Sequence, residues 1–141
     1  MRARHVVVLG LLLASGAGLG CHGPSSTCEG TMSSFASIID SNSWDDLPGI
    51  ISPKERAKYG DTMIAKWASS NYFGCKKFKF TKVEANVSGN VCLARSLASW
   101  HEKIRGKRPV DYNDEYYTYT MHLINGKWYM DLPGASKIQG Y

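Results

Sequence analysis

The pattern of apolar and polar positions divides the chain into an apolar leader, two helical segments and a block of strands. Val6 to Ala14 is an almost unbroken apolar run. From Glu29 to Ser41, Met32, Phe35, Ile38 and Ile39 recur at spacings of three and four, which predicts an amphipathic helix ended by Asn42-Ser43. Trp44 to Ile51 reads as a loop punctuated by Pro48-Gly49. A second helix starts at "SPKE". Ser52 stands at the N-cap, Pro53 at the first helical position, and Glu55 completes a capping box by reaching back. Ala57, Gly60, Met63, Ile64 and Trp67 share its apolar face, Gly60 weakening the helix or marking close packing, and the helix fades near Ser69 to Asn71.

Beyond Lys76 the period changes to two. Phe78 and Phe80 alternate with Lys77, Lys79 and Thr81, and then the apolar parity slips to Val83, Ala85 and Val87, which predicts a β-bulge near Thr81. Ser88-Gly89-Asn90 is a turn, and Val91 to Trp100 a second strand with Val91, Leu93 and Leu97 on one face. "EKIRGKRPVDYND" reads as a polar loop. From Glu115 to Leu132, Asn125-Gly126 separates two alternating runs, the signal for a type I′ hairpin with Ile124 paired to Lys127. That register puts Tyr119, Met121 and Leu123 on the core side with Trp128, Met130 and Leu132. Thr118, Thr120 and His122 then lie on a mixed polar side opposite Tyr129 and Asp131. Helices first and strands after imply an α+β domain, with two N-terminal helices packed on a curved antiparallel sheet of about four strands.

The leader changes the picture of where the chain works. Arg2, Arg4 and His5 precede the apolar run, and Ser15, Gly16, Ala17 and Gly18 follow it, the order of a secretory signal. The run is far shorter than the ~20 residues of a membrane-spanning helix. Gly18-Leu19-Gly20-Cys21 resembles the lipobox of bacterial lipoproteins, although Gly18 stands where that motif usually has leucine. The resemblance implies cleavage before Cys21 and lipidation of its thiol, a side chain nucleophilic enough for S-alkylation. Two or three acyl chains would then give a stable anchor. It further implies a place at the bacterial cell envelope. Because His22 is not aspartate, that place is the outer membrane, facing the periplasm. The alternative is ordinary cleavage with Cys21 left as a disulfide cysteine. Residues 1–20 are thus read as signal peptide, 21–27 as a polar tether, 28–133 as one domain and 134–141 as a tail.

Export permits disulfides. With Cys21 lipidated, Cys28, Cys75 and Cys92 allow one internal bridge and one spare thiol; without lipidation three pairings of four cysteines are open. Cys28 with Cys75 is the preferred pair, each at the edge of a predicted element, and such a closure adds roughly 3–4 kcal/mol. No CxxC spacing occurs and the histidines are scattered, so neither a metal site nor a cofactor is expected.

The ending "YYTYTMHLINGKWYMDL", with Gly126-Lys127-Trp128 at its turn, is similar to the closing hairpin of small lipoproteins of the nuclear transport factor 2-like, or cystatin-like, superfamily. The likeness runs roughly from Cys28 to Leu132 and implies a cone-shaped α+β domain. That superfamily includes isomerases, dehydratases and cyclases with acid–base residues inside the cone, and many non-catalytic binders. The residues available for an acid–base site are Asp45, Asp46, Asp111, Tyr112, Tyr117 and Tyr119, all equally readable as loop charges or strand aromatics. Tyr117, Tyr119, Met121, Trp128 and Met130 are the candidates for an apolar pocket, or else core.

With 141 residues the chain holds one core, and a net charge of +5 spread along it gives no focused basic patch for nucleic acid. The lysines around Phe78 and Phe80 read as a solvated strand edge that discourages aggregation. The expected function is therefore a lipid-anchored envelope protein with a non-catalytic domain for a partner protein or a small apolar ligand. The alternative is a secreted isomerase- or cyclase-like enzyme with an acid–base pocket in the cone.

Overall fold

A computed structural model describes residues 22–133. Residues 1–20, read above as a signal peptide, Cys21, and residues 134–141, read as a tail, lie outside the described residues. The described elements are α1 (Cys28–Ser41), a 3-10 helix (Trp44–Ile50), α2 (Pro53–Tyr59), α3 (Asp61–Tyr72), β1 (Cys75–Ser88), β2 (Val91–Glu102), β3 (Val110–Ile124) and β4 (Lys127–Met130). The strands form one curved antiparallel sheet in the order β1-β2-β3-β4. No helix of the described residues is long and apolar enough to cross a membrane.

α1 supplies most of the bulk inside the curve. Thr27 caps it by accepting from the Gly30 amide, and Asn42 ends it in the left-handed conformation. Met32, Phe35, Ile38 and Ile39 are all fully buried. Opposite them the inner face of β2 is small: Cys92, Ala94, Ser96 and Ala98. Val91, Leu93 and Leu97 do share a face, but it is the outer one, where Val91 and Leu93 are exposed. The bulky helix and the small strand are complementary, so the branched residues of β2 are the ones turned out.

The bulge falls where the parity slip places it, at Thr81, between the pairs Phe80↔Ala98 and Lys82↔Leu97. A second irregularity lies between Lys76 and Lys79, with Lys77 at positive φ. It frees the Phe78 amide from the ladder, and Asp40 at the end of α1 accepts it at 3.0 Å. The other end of α1 is fixed by Thr31, whose hydroxyl donates to the Trp128 carbonyl at 2.9 Å. The hairpin register is as expected, with Ile124 paired to Lys127. Tyr119, Met121, Trp128, Met130 and Leu132 are buried.

Several expectations are corrected. The two N-terminal helices are four helical segments, because the Trp44–Ile50 loop is a 3-10 helix burying Leu47, Pro48 and Ile50, and the second helix is divided at Gly60. Gly60 adopts φ +85°, and a Cβ there would meet nothing within 4 Å. The glycine is there for its backbone angle, not for close packing. The polar loop is shorter than read, since β3 already begins at Val110. The tether is no tether from His22 onward. Its ring contacts Asp46 Oδ2 at 2.7 Å and Ser37 Oγ at 3.1 Å, while Ser25 accepts the Trp128 amide along the free edge of β4. Ile51 runs beside Met130, so both ends of that edge are covered.

The bridge is Cys28–Cys92, not Cys28–Cys75. α1 has 14 residues, a length of about 21 Å. Cys28 stands at its first turn, beside the β2 start. Cys75 pairs with Glu102 at the far end of the sheet, near the end of α1 that holds Phe78. Cys75 is the free thiol and is buried.

Candidate functional site

Where β1 and β3 begin and β2 and α3 end, the sheet opens into a small cavity of about 230 Å³. Its walls are aromatic: Tyr72 from α3, Phe78 from β1, Trp100 from β2, and Tyr112 and Tyr117 from β3. Alternation along β3 and the bulge between Ala98 and Trp100 bring these side chains to one end of the inner face. Trp100 stacks on Tyr112 with centroids 4.8 Å apart, and Phe78 meets the edge of Tyr72 at 6.1 Å. Cys75, Glu102 and Asn71 add the polar part of the lining.

The electrostatics of this mouth favour neutral groups. Burial, with the Glu102 charge nearby, pushes the Cys75 thiol up to about 11, so it stays protonated at neutral pH and is a poor nucleophile. Burial raises the phenols of Tyr72 and Tyr119 too, and the two share a hydrogen bond. Of the five residues read as a pocket, only Tyr117 lines it. Tyr119 lies behind it against Phe35, with ring centroids 5.5 Å apart. Met121, Trp128 and Met130 are buried core. Among the residues weighed for acid–base chemistry, Tyr112 joins Tyr117 at the cavity. Asp111 is exposed and bound to His101 at 2.6 Å, Asp46 is bound to His22, and Asp45 is exposed in the 3-10 helix. Tyr72, Phe78, Trp100 and Glu102 line the cavity without being singled out for it by the sequence pattern, where the only signal is an aromatic at the end of an alternating strand.

No family model and no curated protein matches the sequence. Solved structures do match. A SEC-C motif containing protein from Rhodopseudomonas palustris aligns with TM-score 0.57 and 13% identity, over 83% of this chain and 84% of that one. An NTF2-like protein with a cystatin-like fold from Novosphingobium aromaticivorans aligns with TM-score 0.53 and 13% identity, over 78% and 82%. The fold is cystatin-like. An NTF2-like family protein from Streptomyces avermitilis, described as a candidate dehydratase, aligns with TM-score 0.52 and 9% identity, over 68% of this chain and 83% of that one. At these identities the likeness concerns fold alone.

A second, larger cleft of about 790 Å³ lies outside the cystatin-like cone, between α2 and the outer face of the hairpin. Its polar end is built from the residues that the sequence presents as a capping box. Ser52 makes no cap hydrogen bond. Its hydroxyl donates instead to Asp131 Oδ1 at 2.9 Å, and Glu55 accepts the Leu132 amide. His122 Nε2 lies 2.8 Å from the other Asp131 oxygen. Asp131 thus sits between serine and histidine, so the histidine cannot take the serine proton and no nucleophilic triad forms. Glu55 is raised above its ordinary value of 4.5, chiefly by burial and less by the charge of Asp131, against the lowering effect of the Leu132 amide.

Proposed function

We propose that this is a lipid-anchored protein of the bacterial cell envelope whose cystatin-like domain binds a small apolar, ring-bearing ligand at the aromatic mouth. The observation that carries the binding part is the ring of Tyr72, Phe78, Trp100, Tyr112 and Tyr117 around a cavity of about 230 Å³. That volume falls below the roughly 300–1,000 Å³ of sites for drug-sized ligands, so the ligand is of the size of one aromatic ring. A thiol held protonated and phenols held neutral suit binding rather than covalent chemistry. The anchor rests on the lipobox-like Gly18-Leu19-Gly20-Cys21. Because His22 is fastened to the domain, an acyl group on Cys21 would hold the domain close to the bilayer.

A proton–nitrogen correlation titration with p-cresol tests the binding. Shifts should concentrate on the Trp100 indole and the Tyr112 and Tyr117 amides and vanish in Trp100→Ala. Scattered or absent shifts would remove the reading. A second reading, the isomerase- or cyclase-like enzyme, draws on Glu102, a half-buried carboxylate on the same lining as three phenols. It is supported only if the protein exchanges the α-protons of cyclohexanone in heavy water faster than buffer and Glu102→Gln does not.

A further inference from the structure

The outer cleft is larger than the aromatic mouth, and the proposed mouth ligand does not use it. Its charges are unevenly satisfied. The two carboxylates at its base already accept from the protein: Asp131 from Ser52 and, on its other oxygen, His122; Glu55 from the Leu132 backbone. The two lysines on its rim, Lys54 and Lys58, stand four apart on α2 and make no ion pair among the described residues. Lys58 has a cation–π contact with Tyr59, 5.1 Å from the ring centroid, and its charge acts on Glu55 without an ion-pair contact. Across from the lysines the wall is apolar, with Val91 and Ile124. Val91 is 39% exposed on this outer face, an apolar side chain left open to solvent in the same cleft as two lysines that make no ion-pair contact among the described residues.

We infer that this cleft is a binding site for a small amphipathic anion, a molecule with one anionic head and a short apolar body. Lys54 and Lys58 meet the head, and Val91 and Ile124 cover the body. A cationic head would meet the two rim lysines, and both carboxylates at the base already accept from the protein. An uncharged hydrocarbon would leave the lysines beside apolar surface with no counter-charge. The site is independent of the aromatic mouth, since α2 and the outer sheet face share no lining residue with it.

Octanoate is the probe, with octanol and octylammonium as controls, each titrated into the full chain with its native disulfide and followed by proton–nitrogen correlation spectra. Octanoate should shift Val91, Ile124 and Lys58 while leaving Trp100 in place, and should bind better than either control. Lys54→Gln with Lys58→Gln should weaken it roughly five- to tenfold, the scale of two exposed charge contacts. Both lysines are exposed, so the variant keeps its fold, which an unchanged melting curve verifies. Val91→Asp, which sets a carboxylate in the apolar wall, should abolish binding. Equal binding of octanoate and octanol, no loss in the double variant, or no shifts at the cleft would overturn the inference.

Discussion

Cys75 and Cys92 show how a single side chain's place decides its chemistry. Cys92 lies at the start of β2 beside the first turn of α1 and is bridged to Cys28, 64 residues away. Closing a loop of that length stabilises by about 4 kcal/mol in the chain-entropy account. Cys92→Ala should therefore lower unfolding free energy by about that amount, whereas Cys75→Ser should cost much less. Peptide mapping without reduction should recover Cys28 joined to Cys92. With its thiol near 11, Cys75 should resist iodoacetamide at pH 8 until the domain unfolds; rapid labelling of the native protein would contradict its burial. Glu55 makes a pH-dependent contribution whose sign follows from its raised value. Below its ordinary 4.5 the group is protonated in folded and unfolded chains, and its favourable contribution is complete. As pH rises through the higher folded value, the unfolded chain loses its proton first and stability falls. Glu55→Gln keeps an acceptor for the Leu132 amide, so its urea midpoint should fall less than the wild type's between pH 4.5 and 7. Equal slopes would refute the assignment.

Among the elements, those with strong local signals were legible. The Asn125-Gly126 hairpin and its register, the amphipathic α1 and the bulge at Thr81 all follow from period and turn chemistry, which are local. What failed was tertiary. "SPKE" carries the residues of a capping box, but Ser52 and Glu55 are drawn to Asp131 and Leu132, partners about 77 residues away that no local pattern reveals. The aromatic mouth was half legible for the same reason. Tyr112 and Tyr117 stood out as strand aromatics, but Trp100 and Tyr72 reach the same cavity only through the pairing of β2 with β3 and the docking of α3. At Gly60 the helical period continued across a residue whose φ of +85° ends α2. Gly60→Ala should cost about 1–3 kcal/mol because that backbone region is nearly closed to other residues. Calorimetry showing no loss would mean that α2 and α3 join as one helix.

At the scale of the whole molecule, two unlike cavities stand on opposite sides of one sheet. The inner one is small and aromatic; the outer one is larger, lined by lysines and aliphatic residues. α1 fills the concave side of the sheet, the disulfide locks its first turn to β2, and the strap from His22 to Thr27 covers the edge of β4. A domain so tied to its own N-terminal segment would sit beside whatever Cys21 is attached to. The proposal of an envelope binding module therefore stands or falls at that cysteine. The decisive measurement is the intact mass of the mature protein from its native membrane fraction, beside that of Cys21→Ala. The account predicts a chain beginning at Cys21 and carrying acyl mass that the variant lacks. An unmodified wild-type mass, with Cys21 present as thiol or disulfide, would contradict it.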